Sequence, residues 1–280
     1  MRQRRSSSAI GVAFCLAGLL SLALACDSAT APDVPRGAIG IAPPERFALW
    51  WKLTQACSGI TGDYASVSWY VVPNSTTLSW QGMQVDAYWM SNPDRIVLAD
   101  AHRGDGPVVR HEMLHALLHR DGHPRDAFVT ACGGVVACNI ACSAEAGAYA
   151  TPPATAPELQ PRDLQTRVDV FSTTSGIGPD AGAAAMVTIT NPRNEPVWVR
   201  LTPREPGDLN YYTFGIVVDY DDSAQIAALA SESTTLDRFP LGAGESRHWV
   251  WDGVLTSGRY GVVGYFNSDS LARQVVTVGQ

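Results

Sequence analysis

Five of the six histidines in this 280-residue chain fall between His102 and His123. Random placement rarely produces such a cluster, and it marks where metal or proton chemistry would sit. Within it, His111-Glu112-Met113-Leu114-His115 sets two imidazoles four residues apart around a carboxylate. On an α-helix such positions share a face about 6 Å apart along the axis, so both rings can converge on one divalent ion. Glu112, about 100° round the helix from His111, can reach a water at that ion. Three residues compete as a third ligand. His123 follows Gly122, which lets the chain leave a helix sharply, and precedes Pro124, which holds it extended. Glu145 and Asp121 are the alternatives on ligand chemistry. His119 continues the row of His111 and His115, but about 12 Å of helix axis separates it from His111, too far for one tetrahedral ion. His102 reads as a loop residue whose functional version would be oxyanion stabilisation, a role open to Tyr149 as well.

The helix that must carry the pair has a marked start, Asp105-Gly106-Pro107, with proline in the first turn. Apolar Val108, Val109, Leu114, Leu117 and Leu118 follow, and Gly122 and Pro124 are expected to stop it. Upstream, Phe47, Trp50, Trp51 and Leu53 recur at helical spacing between Arg46 and Cys57. Val67 to Val72, Val85 to Met90 and Asp94 to Ala99 read as short strands.

With Val108 and Val109 before the histidine pair, uncharged Met113 and Leu114 inside it and Ala116-Leu117 after it, the chain resembles zinc metallopeptidases of the zincin clan, from about Arg46 to Tyr149. The resemblance implies an α+β zincin-like domain that binds Zn²⁺ through His111 and His115. Glu112 would be the catalytic base of peptide hydrolysis, and a peptide or protein the substrate. It also implies an edge strand beside the cleft, for which Ile96, Val97 and Leu98 are the candidates. The chain departs from the metzincin pattern, holding Leu118 and Asp121 where that pattern has glycine and histidine. No methionine lies between Met113 and Met186 to form a Met-turn. The gluzincin alternative would recruit Glu145. A reading of another class is a non-catalytic binding lipoprotein whose zincin-like part is degenerate.

Arg2, Arg4 and Arg5 followed by an apolar run from Ala9 to Ala25 read as a signal peptide, residues 1–25. Leu22-Ala23-Leu24-Ala25-Cys26 resembles a bacterial lipoprotein box, which implies lipidation at Cys26 and anchoring to a membrane of the bacterial cell envelope. Ordinary cleavage and secretion is the alternative. Residues 26–45 read as a tether. Export suits cysteines paired as disulfides, and Cys57, Cys132, Cys138 and Cys142 remain to pair. Three pairings are open. Cys138 with Cys142 is favoured by proximity, which leaves Cys57 with Cys132. A zinc site from the last three cysteines lacks the usual two-residue spacing.

A proline-rich stretch, residues 151–165, separates every cysteine and five of the six histidines from a region with another grammar. The first half, 46–150, is the zincin-like part. In 166–280, apolar residues alternate in Val168–Phe171, Met186–Ile189, Val197–Leu201, Phe214–Val218, His248–Trp251, Tyr260–Val263 and Gln274–Val278. Seven strands between turns predict an all-β immunoglobulin-like sandwich. The composition, 46% apolar and 17% charged, is that of a globular chain, and the net charge of −7 opposes nucleic-acid binding. Removal of the leader makes it about −10, with 17 basic against 27 acidic side chains. A monomer is expected.

Overall fold

The structure is a computed structural model that describes residues 34–138, 140–147, 151–172, 182–200, 212–220, 226–234, 238–255, 258–266 and 269–278. The signal peptide, Cys26 and Tyr149 lie outside the described residues. The described residues from Val34 onward form one compact unit of mixed helix and sheet, rich in strands and poor in helices. No helix of the described residues is long and apolar enough to cross a membrane.

The first half is a mixed sheet carrying two helices. Strands β1 (Ile39–Ile41), β2 (Ser68–Val72), β5 (Ala87–Met90) and β6 (Arg95–Ala99) are ordered β1-β2-β6-β5. The β2/β6 pair is parallel and the outer two pairs are antiparallel. Strand β1 lies within the stretch expected to be a tether, so residues 39–41 belong to the sheet rather than to a free spacer. The expectation of an edge strand at Ile96 to Leu98 is also corrected. Strand β6 is central, and its apolar residues Ile96, Val97, Leu98 and Ala99 are fully buried, because a run that is apolar on both faces needs cover on both. The edge strands of this sheet are β1 and β5, and β5 is the one in contact with the helix Gly106–Leu118. A hairpin of β3 (Leu78–Trp80) and β4 (Met83–Val85) precedes β5, turning at Gln81 and Gly82. Both of these residues have positive φ, as a two-residue turn between twisted strands requires.

Helix α1 (Glu45–Ser58) opens with an acidic residue in its first turn and closes at Gly59, whose left-handed conformation lets its N–H reach the Gln55 carbonyl. It buries Phe47, Leu49, Trp50, Trp51 and Leu53 against helix α2 (Gly106–Leu118). Helix α2 starts where expected, with the Asp105 carboxylate accepting the Val108 N–H. It stops earlier than Gly122, because His119 adopts a left-handed conformation at φ 48°.

The seven predicted strands of the second half lie on strands, save that Leu201, the end of one of them, lies outside the described residues. The elements are β7 (Glu158–Leu159), β8 (Gln165–Ser172), β9 (Gly182–Thr190), β10 (Val197–Arg200), β11 (Tyr212–Tyr220), β12 (Ile226–Thr234), β13 (Arg238–Leu241), β14 (Ser246–Val254), β15 (Gly258–Phe266) and β16 (Asp269–Val278). Sheets ordered β14-β9-β8 and β12-β11-β15-β16 share a core of Ala183, Ala185, Val187, Trp251, Tyr260 and Val262. A methyl group at Gly264 would lie 2.6 Å from Val187, so glycine there permits the close approach of β15 to β9.

Strand β9 joins the halves. Ala183, Ala185 and Val187 face the inter-sheet core, while Ala184 and Met186 pack in the same cluster as α1 and α2. His248 of β14 adds a polar link. It is buried, its Nε2–H donates to the Ala131 carbonyl at 2.5 Å, and its Nδ1 accepts from the Thr188 hydroxyl at 2.9 Å. Burial pushes its pKa down to about 4, with the Ala131 carbonyl opposing the shift. A folded-state pKa below the ordinary value of about 6.5 means that this stabilisation is complete above pH 6.5 and is lost as pH falls towards 4. The loss is roughly 3 kcal/mol. Thermal melts at pH 7 and pH 4.5 should therefore differ more for the native chain than for a His248→Gln chain. Equal pH dependence in the two would contradict this assignment.

Candidate metal centre

The structure brings His111, His115 and His123 together. Their Nε2 atoms converge, His111 lying 3.2 Å from His115 and 3.1 Å from His123. Two ligands each about 2.0–2.1 Å from a tetrahedral ion stand about 3.3–3.4 Å apart, so the spacing matches what one small cation imposes. The opposite edge of every ring is engaged. The Nδ1 of His111 meets the Ala137 carbonyl at 2.5 Å, that of His115 the Arg120 carbonyl at 3.0 Å, and that of His123 the Glu145 carboxylate at 2.7 Å. Each partner is an acceptor, so each Nδ1 carries the proton and each Nε2 offers a lone pair. Three lone pairs facing one another with no proton between them suit a cation. Burial pushes the pKa of His111 down to about 3 and that of His115 to about 4, which keeps both rings neutral. The residues present therefore fit a metal ion.

Glu112 is buried beside this group. Desolvation raises its carboxyl to about 8, partly opposed by a hydrogen bond from the Trp89 backbone amide. That amide belongs to edge strand β5, and the register explains its direction. Ala99 N–H donates to the Asp86 carbonyl at 2.9 Å. Antiparallel alternation then makes Tyr88–Val97 and Met90–Arg95 the hydrogen-bonded pairs and turns the backbone groups of Ala87 and Trp89 away from β6. A cleft of about 380 Å³ opens on that side. Its lining includes the three histidines, Glu112, Trp89, Ala87 and the β3/β4 hairpin.

The remaining candidates separate by position. Asp121 lines the cleft outside the triad. Glu145 sits on helix α3 (Ile140–Ala146) and supports His123 from behind, its carboxyl held below the usual range by hydrogen bonds from His123. Gly122 has φ 82°, and a side chain there would lie 2.7 Å from Glu145 Oε1, so glycine serves both the turn and the close approach. His119 is exposed and faces Asp94 at 3.3 Å. His102 lies between Asp86 at 3.3 Å and Asp105 at 3.6 Å, outside the cleft lining. The cysteines pair Cys57 with Cys132 and Cys138 with Cys142.

Phe128 was not singled out from the sequence. Its fully buried ring lies 4.9–5.0 Å from all three imidazoles and floors the site. A π-helical turn over Asp126–Ala131 presents it, a local geometry that no residue pattern announces. The second half supports the same region. Arg110, next to His111, donates to the Val135 carbonyl at 2.7 Å and to Asp252 of β14 at 3.3 Å. Asp252 also accepts from the Trp50 indole, and Arg125 reaches Glu245 at 3.4 Å.

No family model and no curated protein matches this chain. Among solved structures, the chain is similar to the X-ray structure of Northeast Structural Genomics Consortium target SoR45. Identity there is 10%, over 42% of this chain and 83% of that one, with a TM-score of 0.25. It is also similar to the Pseudomonas fluorescens alkylpurine DNA glycosylase AlkC bound to DNA containing an abasic site analog. Identity is 16%, over 40% of this chain and 30% of that one, again with a TM-score of 0.25. Likenesses this low carry no argument about fold or function.

Proposed function

We propose that the chain is an exported zinc metallopeptidase, lipid-anchored through Cys26 to a membrane of the bacterial cell envelope, with a zincin-like site buttressed by an immunoglobulin-like sandwich. One observation carries the reading: three imidazoles present converging Nε2 lone pairs with every Nδ1 engaged, and a buried carboxylate lies one residue from a ligand, on the wall of an open cleft. Three nitrogen ligands with room for a fourth group are the donor set of a hydrolytic zinc site rather than a closed structural one. Bound there, zinc supplies Lewis-acid polarisation of a carbonyl and makes water more acidic. The charge of a bound cation would draw the Glu112 carboxyl back down from the raised value that burial gives it. As a carboxylate it accepts the proton of the attacking water and later delivers it to the leaving amine, its buried position shielding that proton from bulk solvent.

With the Trp89 N–H engaged by Glu112, the outward N–H and C=O of Ala87 and the Trp89 carbonyl give an extended peptide somewhere to pair, in place of the β6 strand expected from the sequence. Proline is tolerated at an edge position whose N–H faces outward, and Ala87 is such a position. Ala87→Pro should therefore leave zinc content unchanged and raise KM for an extended peptide about tenfold. Unchanged KM in a folded, zinc-replete variant would place the substrate elsewhere.

A further inference from the structure

We propose that the Cys138–Cys142 disulfide is a positioning latch for the metal centre, making metal affinity depend on the thiol redox state of the chain. The inference rests on the metal-site reading above and names a regulation of that same site. The acceptors that orient two of the three ligands flank this disulfide. Ala137, whose carbonyl meets His111, immediately precedes Cys138, and Glu145, whose carboxylate meets His123, follows Cys142 by three residues. The Ala137 N–H is itself tied to the Pro107 carbonyl at 2.9 Å, at the start of the helix that carries His111. The described residues on either side of position 139 therefore link the support of one ligand to that of another, as a strap that the disulfide closes.

Beside the disulfide, the strap is held at its two ends, by the Ala137 N–H on Pro107 and by Ala146 in the core with Arg125 donating to its carbonyl at 3.3 Å. Helix α3 has seven residues, too few to persist without support. Glu145 is 53% exposed, so burial does not fix its side chain. Cys142 is fully buried in the main core and anchors α3, while Cys138 is half-buried, with the Ser143 hydroxyl on its carbonyl at 3.1 Å. The two disulfides divide the work. A bridge of sequence separation 75, Cys57–Cys132, constrains the unfolded chain strongly, whereas one of separation 4 constrains it least. The contribution of the short bridge is therefore local, and what lies next to it is the support of the metal ligands.

The chemistry is a two-electron exchange with a dithiol reductant. One reductant thiolate attacks Cys138 Sγ, the S–S bond breaks, and Cys142 leaves as a thiolate that takes up a proton. The second reductant thiol displaces Cys138, leaving two protein thiols and the oxidised cyclic reductant. The reverse reaction, driven by a disulfide donor of an oxidising compartment, sets the strap. A chain with this latch acquires its metal tightly only after oxidation.

The test uses the full chain with both disulfides formed, titrated with Zn²⁺ against a chromophoric chelator. Cys138→Ser/Cys142→Ser should bind zinc about ten- to a hundredfold more weakly than the native chain while keeping its far-UV circular dichroism. Glu145→Ala should weaken binding over the same range, and Glu145→Gln, which retains an acceptor, by less. In the double-serine background, Glu145→Ala should add little further loss, since both changes release the same contact. A folded double-serine chain with native affinity overturns the latch. So does Glu145→Ala with native affinity, a measurement that stands even if the serine variant misfolds. Complete loss of binding in Glu145→Ala would make Glu145 a ligand and also overturn the positioning role. A native chain that binds no zinc sinks the metal-site reading itself, whereas native binding with unaffected variants sinks the latch alone.

Discussion

Glu112→Gln is expected to keep the full zinc content of the native chain and to lower peptide hydrolysis by about three orders of magnitude. The amide has nearly the volume of the carboxylate and can still occupy the buried site beside Trp89, so the packing of α2 should survive. What it cannot do is accept a proton from water. A positioned general base contributes about 10²–10⁴ in rate, and a group used as base and then as acid belongs in the upper part of that range. Because the ligands are untouched, kcat should fall while KM stays near its native value, the signature of a group needed only in the transition state. Hydrolysis at the native rate in a zinc-replete Glu112→Gln chain would eliminate Glu112 as the base, whereas a zinc-replete native chain that hydrolyses no peptide would favour the non-catalytic binding protein.

Much of this site is legible from residue spacing, because a helix fixes which residues share a face. His111, Glu112 and His115 needed only a helix beginning near Asp105, and the cap chemistry at Asp105-Gly106-Pro107 provides one. His123 is legible as the favoured candidate because Gly122 permits the turn, while Glu145 and Asp121 stay open as alternatives on ligand chemistry. What distinguishes them is the orientation of α3, a tertiary fact. The supporting acceptors Ala137 and Arg120 act through backbone carbonyls, so their side chains carry no signal at all.

Sheet topology was less legible than strand positions. The four apolar residues Ile96–Ala99 mark strand β6, but the sequence reading puts it at the edge, whereas it is central. Apolar residues on both of its faces are the sequence signal of such a position. The hairpin of β3 and β4 escaped notice because each strand has only three residues. Strand β9 is longer than the alternating stretch from Met186, because Ala183, Ala184 and Ala185 are apolar on both faces and so show no period of two. That same lack of alternation is what lets β9 bury one face on the α1/α2 core and the other between sheets. A change of grammar at the proline-rich stretch thus marks a change of architecture inside one compact unit.

Loss of a single ligand should be the largest effect on the metal. Structural zinc sites hold their ion with an apparent free energy of about 10–16 kcal/mol shared among four ligands, so one histidine accounts for roughly 3 kcal/mol or about a hundredfold in affinity. His123→Ala should therefore bind zinc at least about a hundredfold more weakly, and Asp121→Ala, altered in the cleft but outside the triad, should bind as the native chain does. The direct measurement is zinc X-ray absorption on the purified full chain, set beside that of His123→Ala. The account predicts one zinc per native chain, with three imidazole nitrogens at about 2.0–2.1 Å and one further light atom, and with one imidazole lost in the variant. A native chain without zinc, sulfur at about 2.3 Å, or an unchanged spectrum in His123→Ala would contradict it.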